Sequence, residues 1–153
     1  MATQVRDRGA KALRARLTVA AKSTLGADVG VIGTGAAEGH EGSTSDLTVA
    51  QIAEIHEFGL GVPQRSWLRD TIEENLPRIE QAIAQESLNI QTGRATYEQA
   101  LGRIGAFVQG LIQVRIAGGI PPGLADSTIA RKGSSTPLID TGQLRSSITY
   151  EVR

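Results

Sequence analysis

There is no cysteine in these 153 residues. That excludes a disulfide framework and thiol catalysis, and it suits a reducing cytosol without requiring one. Aromatic residues are scarce, with one Trp, two Phe and two Tyr. A core must therefore be built mostly from Ala, Val, Ile and Leu, and a hydrophobic content of 40% can supply it. No apolar run approaches the roughly 18–20 residues of a membrane span, and no uninterrupted signal-peptide core is found near residue 1. The expectation is a soluble protein made in the cytoplasm. Net charge is also missing, since 16 Lys and Arg balance 16 Asp and Glu. The molecule as a whole thus has no bias toward nucleic acid or acidic membranes.

What charge there is falls unevenly. Residues 1–25 carry six basic side chains against Asp7, a net +5, whereas residues 38–86 carry ten acidic and three basic ones, a net −7. A basic end and an acidic middle attract copies of the same chain or a partner; two solvated helix faces of different composition would look the same. The length predicts one domain, residues 1–153, with a basic N-terminal helix (1–25) and a loop (36–47) as peripheral segments.

Helical spacing over 4–24 places Val5, Leu13, Leu17 and Ala20 or Ala21 near one face with Arg and Lys opposite. The stripe is narrow and Gly9 weakens it, so the helix needs support from another element. Residues 28–34 form a short β-like run. Val31-Ile32-Gly33-Thr34-Gly35 invites a dinucleotide-binding reading, but that fingerprint must open a helix, and Ala36 to Leu47 reads as a mobile loop. A short helix over 48–58 follows, with Val49, Ile52, Ile55 and Phe58 on its buried side and Thr48 or Asp46 as cap. Gly59 and Gly61 stop it and Pro63 fixes the exit.

A long helical pattern runs over 66–91 through Leu68, Ile72, Leu76, Ile79, Ile83 and Leu88, with Ser66 as cap. Pro77 inside it predicts a kink or two helices end to end. The capping box Thr96-Tyr97-Glu98-Gln99 opens the clearest helix, 96–117. Gly102, Gly105 and Gly110 recur in it, and their cost in a helix interior implies close approach by another element. After the turn at 118–123, Asp126 to Arg131 predicts a short helix ended by Gly133, and Asp140 or Thr141 caps a single turn. Ile148, Tyr150 and Val152 alternate with Thr149 and Glu151, which predicts a strand over 146–152 paired with the run at 28–34. The fold expected is α+β: a small antiparallel β-sheet packed with several α-helices.

The densest stretch is Ile55 to Arg69, IHEFGLGVPQRSWLR, which holds Trp67, Phe58 and His56. His56-Glu57-Phe58-Gly59 followed by Pro63-x-Arg65-Ser66-Trp67-Leu68-Arg69 is similar to a signature of neck and tail-completion proteins of long-tailed bacteriophages. A second block resembles the same family: Pro121-Pro122-Gly123-Leu124, then Ser127 to Gly133, then Pro137 to Val152. The two blocks, in this order, cover roughly Ala50 to Arg153, and residues 1–49 carry little of the likeness.

No reactive constellation accompanies these blocks. Glu38, His40 and Glu41 sit in a Gly-rich loop and His56 adjoins Glu57, neither at metal-ligand spacing. Glu73, Glu74 and Glu80 read as a solvated face, and Ser134-Ser135 and Ser146-Ser147 have no nearby His to activate them. No catalytic residue, metal or cofactor is expected. The candidate structural or interface residues are His56, Phe58, Arg65, Trp67, Arg69, Arg131, Lys132 and Arg145. Arg65, Arg69, Arg131, Lys132 and Arg145 could pair with acidic surfaces of a neighbouring subunit, or Arg65 and Arg69 could tie the turn to the C-terminal block; the tie is preferred for Arg65 and the interface for Arg131 and Lys132.

The resemblance implies a non-enzymatic structural virion protein at the head–tail junction, assembled in the host cytoplasm as a ring of six or twelve copies. Its partners would be the portal or adaptor and the tail terminator or tail tube, with phage DNA passing through the ring without sequence-specific binding. The alternative is a nucleic-acid-binding regulator using the basic N-terminal helix, with a steep salt dependence of affinity. An enzyme of a kind that leaves no motif is the third reading.

Overall fold

A computed structural model describes residues 8–39, 46–126, 129–130, 138 and 142–153. In chain order the elements are α1 (Arg8–Lys22), β1 (Ala27–Val31), α2 (Thr34–Ala37), α3 (Val49–Phe58), α4 (Arg69–Glu74), α5 (Leu76–Thr92), α6 (Tyr97–Gly118), α7 (Gln143–Ser146) and β2 (Ile148–Val152). The architecture is the expected α+β one. β1 and β2 pair antiparallel, with Val29 opposite Tyr150 and Val31 opposite Ile148. Beyond the strand ends, Gly26 and Arg153 exchange backbone hydrogen bonds of 2.7 and 3.0 Å.

α6 is the axis of the molecule. It begins as the capping box requires: the Thr96 hydroxyl accepts from the Gln99 N–H, and the Gln99 side chain accepts from the Thr96 N–H. Gly105, Val108, Ile112 and Ile116, three or four residues apart, form its buried seam. They join Val49, Ala53, Trp67, Ile79, Ile120, Leu138, Leu144 and Ile148 in a core that is almost entirely aliphatic. Of the three glycines singled out in α6, Gly105 is the close approach: a Cβ there would lie 2.7 Å from the Tyr150 ring. Gly102 only borders that ring, and a Cβ at Gly110 would meet nothing within 4 Å among the described residues. Gln109 and Gln113 complete the joint with β2 by donating to the Ile148 carbonyl.

Several expectations are corrected. β1 ends at Val31, and Thr34–Ala37 makes one helical turn where strand and loop were expected. Gly33 lies between them at φ 70° and ψ −152°, a conformation that ends the strand. The loop's ends are tied, since Glu38 accepts from the Val49 N–H and Gly39 bridges Thr48. The pattern over 66–91 splits at Asn75, with Pro77 in the first turn of α5, as the two-helix alternative requires. That break resets the helical phase. Ile79, Ala82, Glu86 and Ile90 turn inward, and Leu76, Ile83 and Leu88 of the expected stripe are exposed. Glu86 then meets Arg103 of α6 as an ion pair.

α1 begins at Arg8 within the described residues, so Val5 lies outside them; Leu13 and Ala20 are half-buried, but Leu17 is exposed. Asp126, Ile129 and Ala130 are helical, as expected, whereas the end at Gly133 and the caps Asp140 and Thr141 lie outside the described residues. No described helix is long and apolar enough to cross a membrane.

Candidate functional site

The stretch from His56 to Arg69 folds into a turn whose main chain is fixed from several directions. α3 starts on a capping box between Thr48 and Gln51 and ends at Gly59, which adopts φ 71°. Any Cβ at Gly59 would lie 2.9 Å from the Cβ of Gln64, so both the left-handed backbone and the close return of the chain require glycine. The returning segment is then bonded to the helix end. Arg65 N–H donates to the His56 carbonyl at 2.8 Å, and Gln64 Nε2 donates to the Glu57 carbonyl at 3.0 Å.

Below the turn, Glu57 gathers three donors. Its carboxylate accepts from the Ser66 hydroxyl at 2.8 Å, the Leu68 N–H at 2.9 Å and the Arg69 N–H at 3.1 Å. α4 has no side-chain cap of its own, because its N-cap position is Leu68. The carboxylate from α3 therefore takes the place of a cap, and negative charge at a helix N-terminus is favourable. Ser66 was expected to cap this helix; its hydroxyl accepts a long bond from the Asp70 N–H, but the principal acceptor is Glu57. Trp67 turns inward and its Nε1–H donates to the Ala53 carbonyl at 2.9 Å.

Arg65 joins the two sequence blocks. It is only 4% exposed, and its Nε and Nη2 donate to the Pro122 carbonyl at 3.0 and 2.8 Å, with further bonds to Gly123 and Pro63 carbonyls. A planar fork holding several carbonyls at once is a geometry that guanidinium supplies and ammonium does not. Replacing Arg65 by Lys should cost about 2 kcal/mol, because buried acceptors lose partners while the charge stays buried. Urea denaturation followed by Trp67 fluorescence measures it; a change within about 0.5 kcal/mol would remove Arg65 from this role.

The other candidate residues divide. His56 is half-buried in the last turn of α3. Phe58, expected on the buried side, is 57% exposed. The inward face of α3 is Val49, Ala53 and Glu57, spaced by four, which leaves Ile52 and Ile55 half-buried and swings Phe58 outward. Arg69 starts α4 with its side chain exposed, so Arg65 makes the tie that both were expected to make. Arg145 is exposed on α7, and its carbonyl accepts from Gln113. Arg131 and Lys132 lie outside the described residues, as do His40 and Glu41. Among the described residues no three His, Cys, Asp or Glu side chains are placed to hold a metal ion.

Sequence reasoning missed two things here. One is Glu57 as a structural acceptor, although its position eight residues after Val49 was a signal. The other is that Leu60 and Val62, like Phe58, stand in solvent, at 55% and 36% exposure. The turn is thus an apolar knuckle on a bonded frame. No family model, curated protein or solved structure matches this chain.

Proposed function

We propose that this chain is a structural component of the head–tail junction of a tailed bacteriophage, a neck or tail-completion protein that works by binding. The observation that carries the reading is the knuckle within the first motif block. Phe58, Leu60 and Val62 are held out to solvent by a turn that Glu57, Gln64 and Arg65 fix from beneath. Exposed apolar side chains close in sequence on an ordered frame offer a docking surface. The two sequence blocks that resemble the family also meet, through Arg65 and the Pro122 carbonyl, so they work as one unit. Under this reading copies assemble as a ring of six or twelve and dock the portal or adaptor to the tail.

Immunogold labelling of particles from the source lysate, with an antibody to this chain, tests the reading. The expected label is confined to the head–tail junction. Phe58→Ser should change stability by no more than about 0.5 kcal/mol, as for exposed positions generally, yet reduce incorporation into particles. Protein left in the soluble fraction, with no label on particles, overturns the proposal. Attention then passes to α1, whose binding to DNA would weaken steeply with salt.

A further inference from the structure

The sheet has two strands, so each has one edge that no other strand covers. The register decides which groups lie on those edges. Gly26 and Arg153 exchange both main-chain hydrogen bonds, and an antiparallel ladder then alternates bonded and non-bonded pairs. Asp28 with Glu151 and Gly30 with Thr149 are the bonded pairs, whereas Ala27, Val29 and Val31 turn their N–H and C=O groups away from β2. Among the described residues nothing bonds these groups. Main-chain groups without a protein partner persist where water reaches them, because burying them unpaired is costly.

The two edges are guarded differently. On β2 the outward Ile148 carbonyl is taken by Gln109 and Gln113 of α6. β1 reads Ala-Asp-Val-Gly-Val, with no Lys and no Pro, and its register runs without a bulge. Lys, Pro and bulges are the devices that keep an edge strand from pairing. The charged side chain of β1, Asp28, is bonded to Arg153. Val29 and Val31 pack against the core, so a strand added along this edge lays every second side chain beside them. On the other face Asp28 stands opposite Glu151, like charges across the ladder, and a cation on the added strand is favoured there.

We propose that the outer edge of β1 is a strand-addition site for an extended segment of another protein, a segment apolar at every second residue and basic on the alternate face. Main-chain hydrogen bonds supply the attachment, and the alternating side chains supply the selectivity. The occupant is a bare segment rather than a second copy. Residues 23–26 are all that separate α1 from β1, and residues 32–33 all that separate β1 from α2. Another copy would bring the same two helices to the ends of the pairing, where a free segment brings none. The site is separate from the Phe58–Val62 turn, and it does not depend on the place of the chain in a phage particle.

Amide exchange of the isotope-labelled full chain, read by NMR, tests this. In the free protein the Ala27, Val29 and Val31 amides should exchange at least about tenfold faster than those of Asp28 and Gly30, which the ladder holds. The probe is a terminally blocked peptide, Lys-Val-Thr-Val-Thr-Val-Lys. At millimolar concentration it should slow the three outward amides about tenfold and leave Asp28 and Gly30 as they were. The same peptide with its amides N-methylated should have no effect. Ala27→Pro removes one outward donor and no ladder bond, so it should keep Asp28 and Gly30 protected yet weaken the peptide about fivefold. The proposal is overturned if the three amides are already slow in the free chain, if the peptide leaves them fast, or if the N-methylated peptide slows them equally. It is also overturned if they slow as the chain is concentrated without peptide, which would make the occupant a second copy. Immunogold labelling decides the neck reading separately, so either can fail alone.

Discussion

Glu57→Ala is expected to lower the stability of the protein by about 3–5 kcal/mol, among the largest effects available to a single substitution. The argument rests on what the carboxylate leaves behind. Ser66 hydroxyl and the Leu68 and Arg69 N–H groups all donate to it, at 2.8 to 3.1 Å. Each hydrogen bond to a charged acceptor contributes about 1.5–3 kcal/mol, and donors stranded where water reaches poorly add their desolvation cost. Ser66 and Glu57 are both buried, so water replaces the lost acceptor only in part. α4 has six residues and, apart from Glu57, only the 3.3 Å bond from the Asp70 N–H to the Ser66 hydroxyl at its start, so it has little stability of its own to draw on. Glu57→Gln keeps one acceptor oxygen of similar shape and should lose about half as much. Trp67, the single tryptophan, begins the segment that Glu57 holds, and its fluorescence in urea reports the change. A loss below about 1 kcal/mol for Glu57→Ala would mean that the turn is held by Arg65 and the core alone.

Gly105→Val should cost about 3 kcal/mol, whereas Gly110→Ala, five residues along the same helix, should add about 0.5–1 kcal/mol of stability. The two sites differ in what stands above them. At Gly105 a Cβ would lie 2.7, 2.9 and 3.1 Å from Cδ2, Cγ and Cβ of Tyr150. Those atoms are the root of the side chain, which swings least, and the Gln109 and Gln113 bonds to the Ile148 carbonyl keep β2 from moving away. Valine, branched at Cβ, makes the clash larger and gains little helix propensity in return. At Gly110 nothing among the described residues lies within 4 Å, so alanine brings its better helix propensity without contact. Thermal unfolding by circular dichroism gives both signs. Equal effects at the two positions would refute the Tyr150 contact as the reason for Gly105.

The parts of this fold that were legible in the sequence are those decided locally. The Thr96 capping box announces α6, and Pro77 announces the division of the 66–91 pattern, because caps and a missing donor act within one helical turn. The sheet was legible by elimination, since two short apolar runs were free to pair. What the sequence hid depends on rotation of helices about their axes. In α3 the apolar stripe through Val49, Ile52 and Ile55 lies next to the true inward face at Val49, Ala53 and Glu57. The difference is set by Trp67, which must reach the Ala53 carbonyl, and by α4, which needs an anion at its N-terminus. Both demands come from residues that follow in the chain. A charged side chain on the inward face also runs against the ordinary rule that carboxylates stay in solvent, so apolar periodicity places Phe58 inside where Glu57 lies. Of the candidate residues, Arg65 bonds the Pro122 carbonyl in the C-terminal block, whereas Arg69, expected to share that tie, is exposed. That the apolar side chains of the turn face outward is a property of the Gly59 reversal, which no helical periodicity encodes.

The pairing of β1 with β2 also orders events in time. Their residues are more than a hundred positions apart in the chain, whereas α5 and α6 are joined by the short turn from Gly93 to Thr96. Closing the longer loop costs more entropy, and its contacts are rewarded only once the segments between them are compact. The helical hairpin is therefore the place for early structure, and the sheet is the closing step. During synthesis β1 leaves the ribosome long before β2 exists, so its hydrogen-bonding edge stays unpaired until β2 is made.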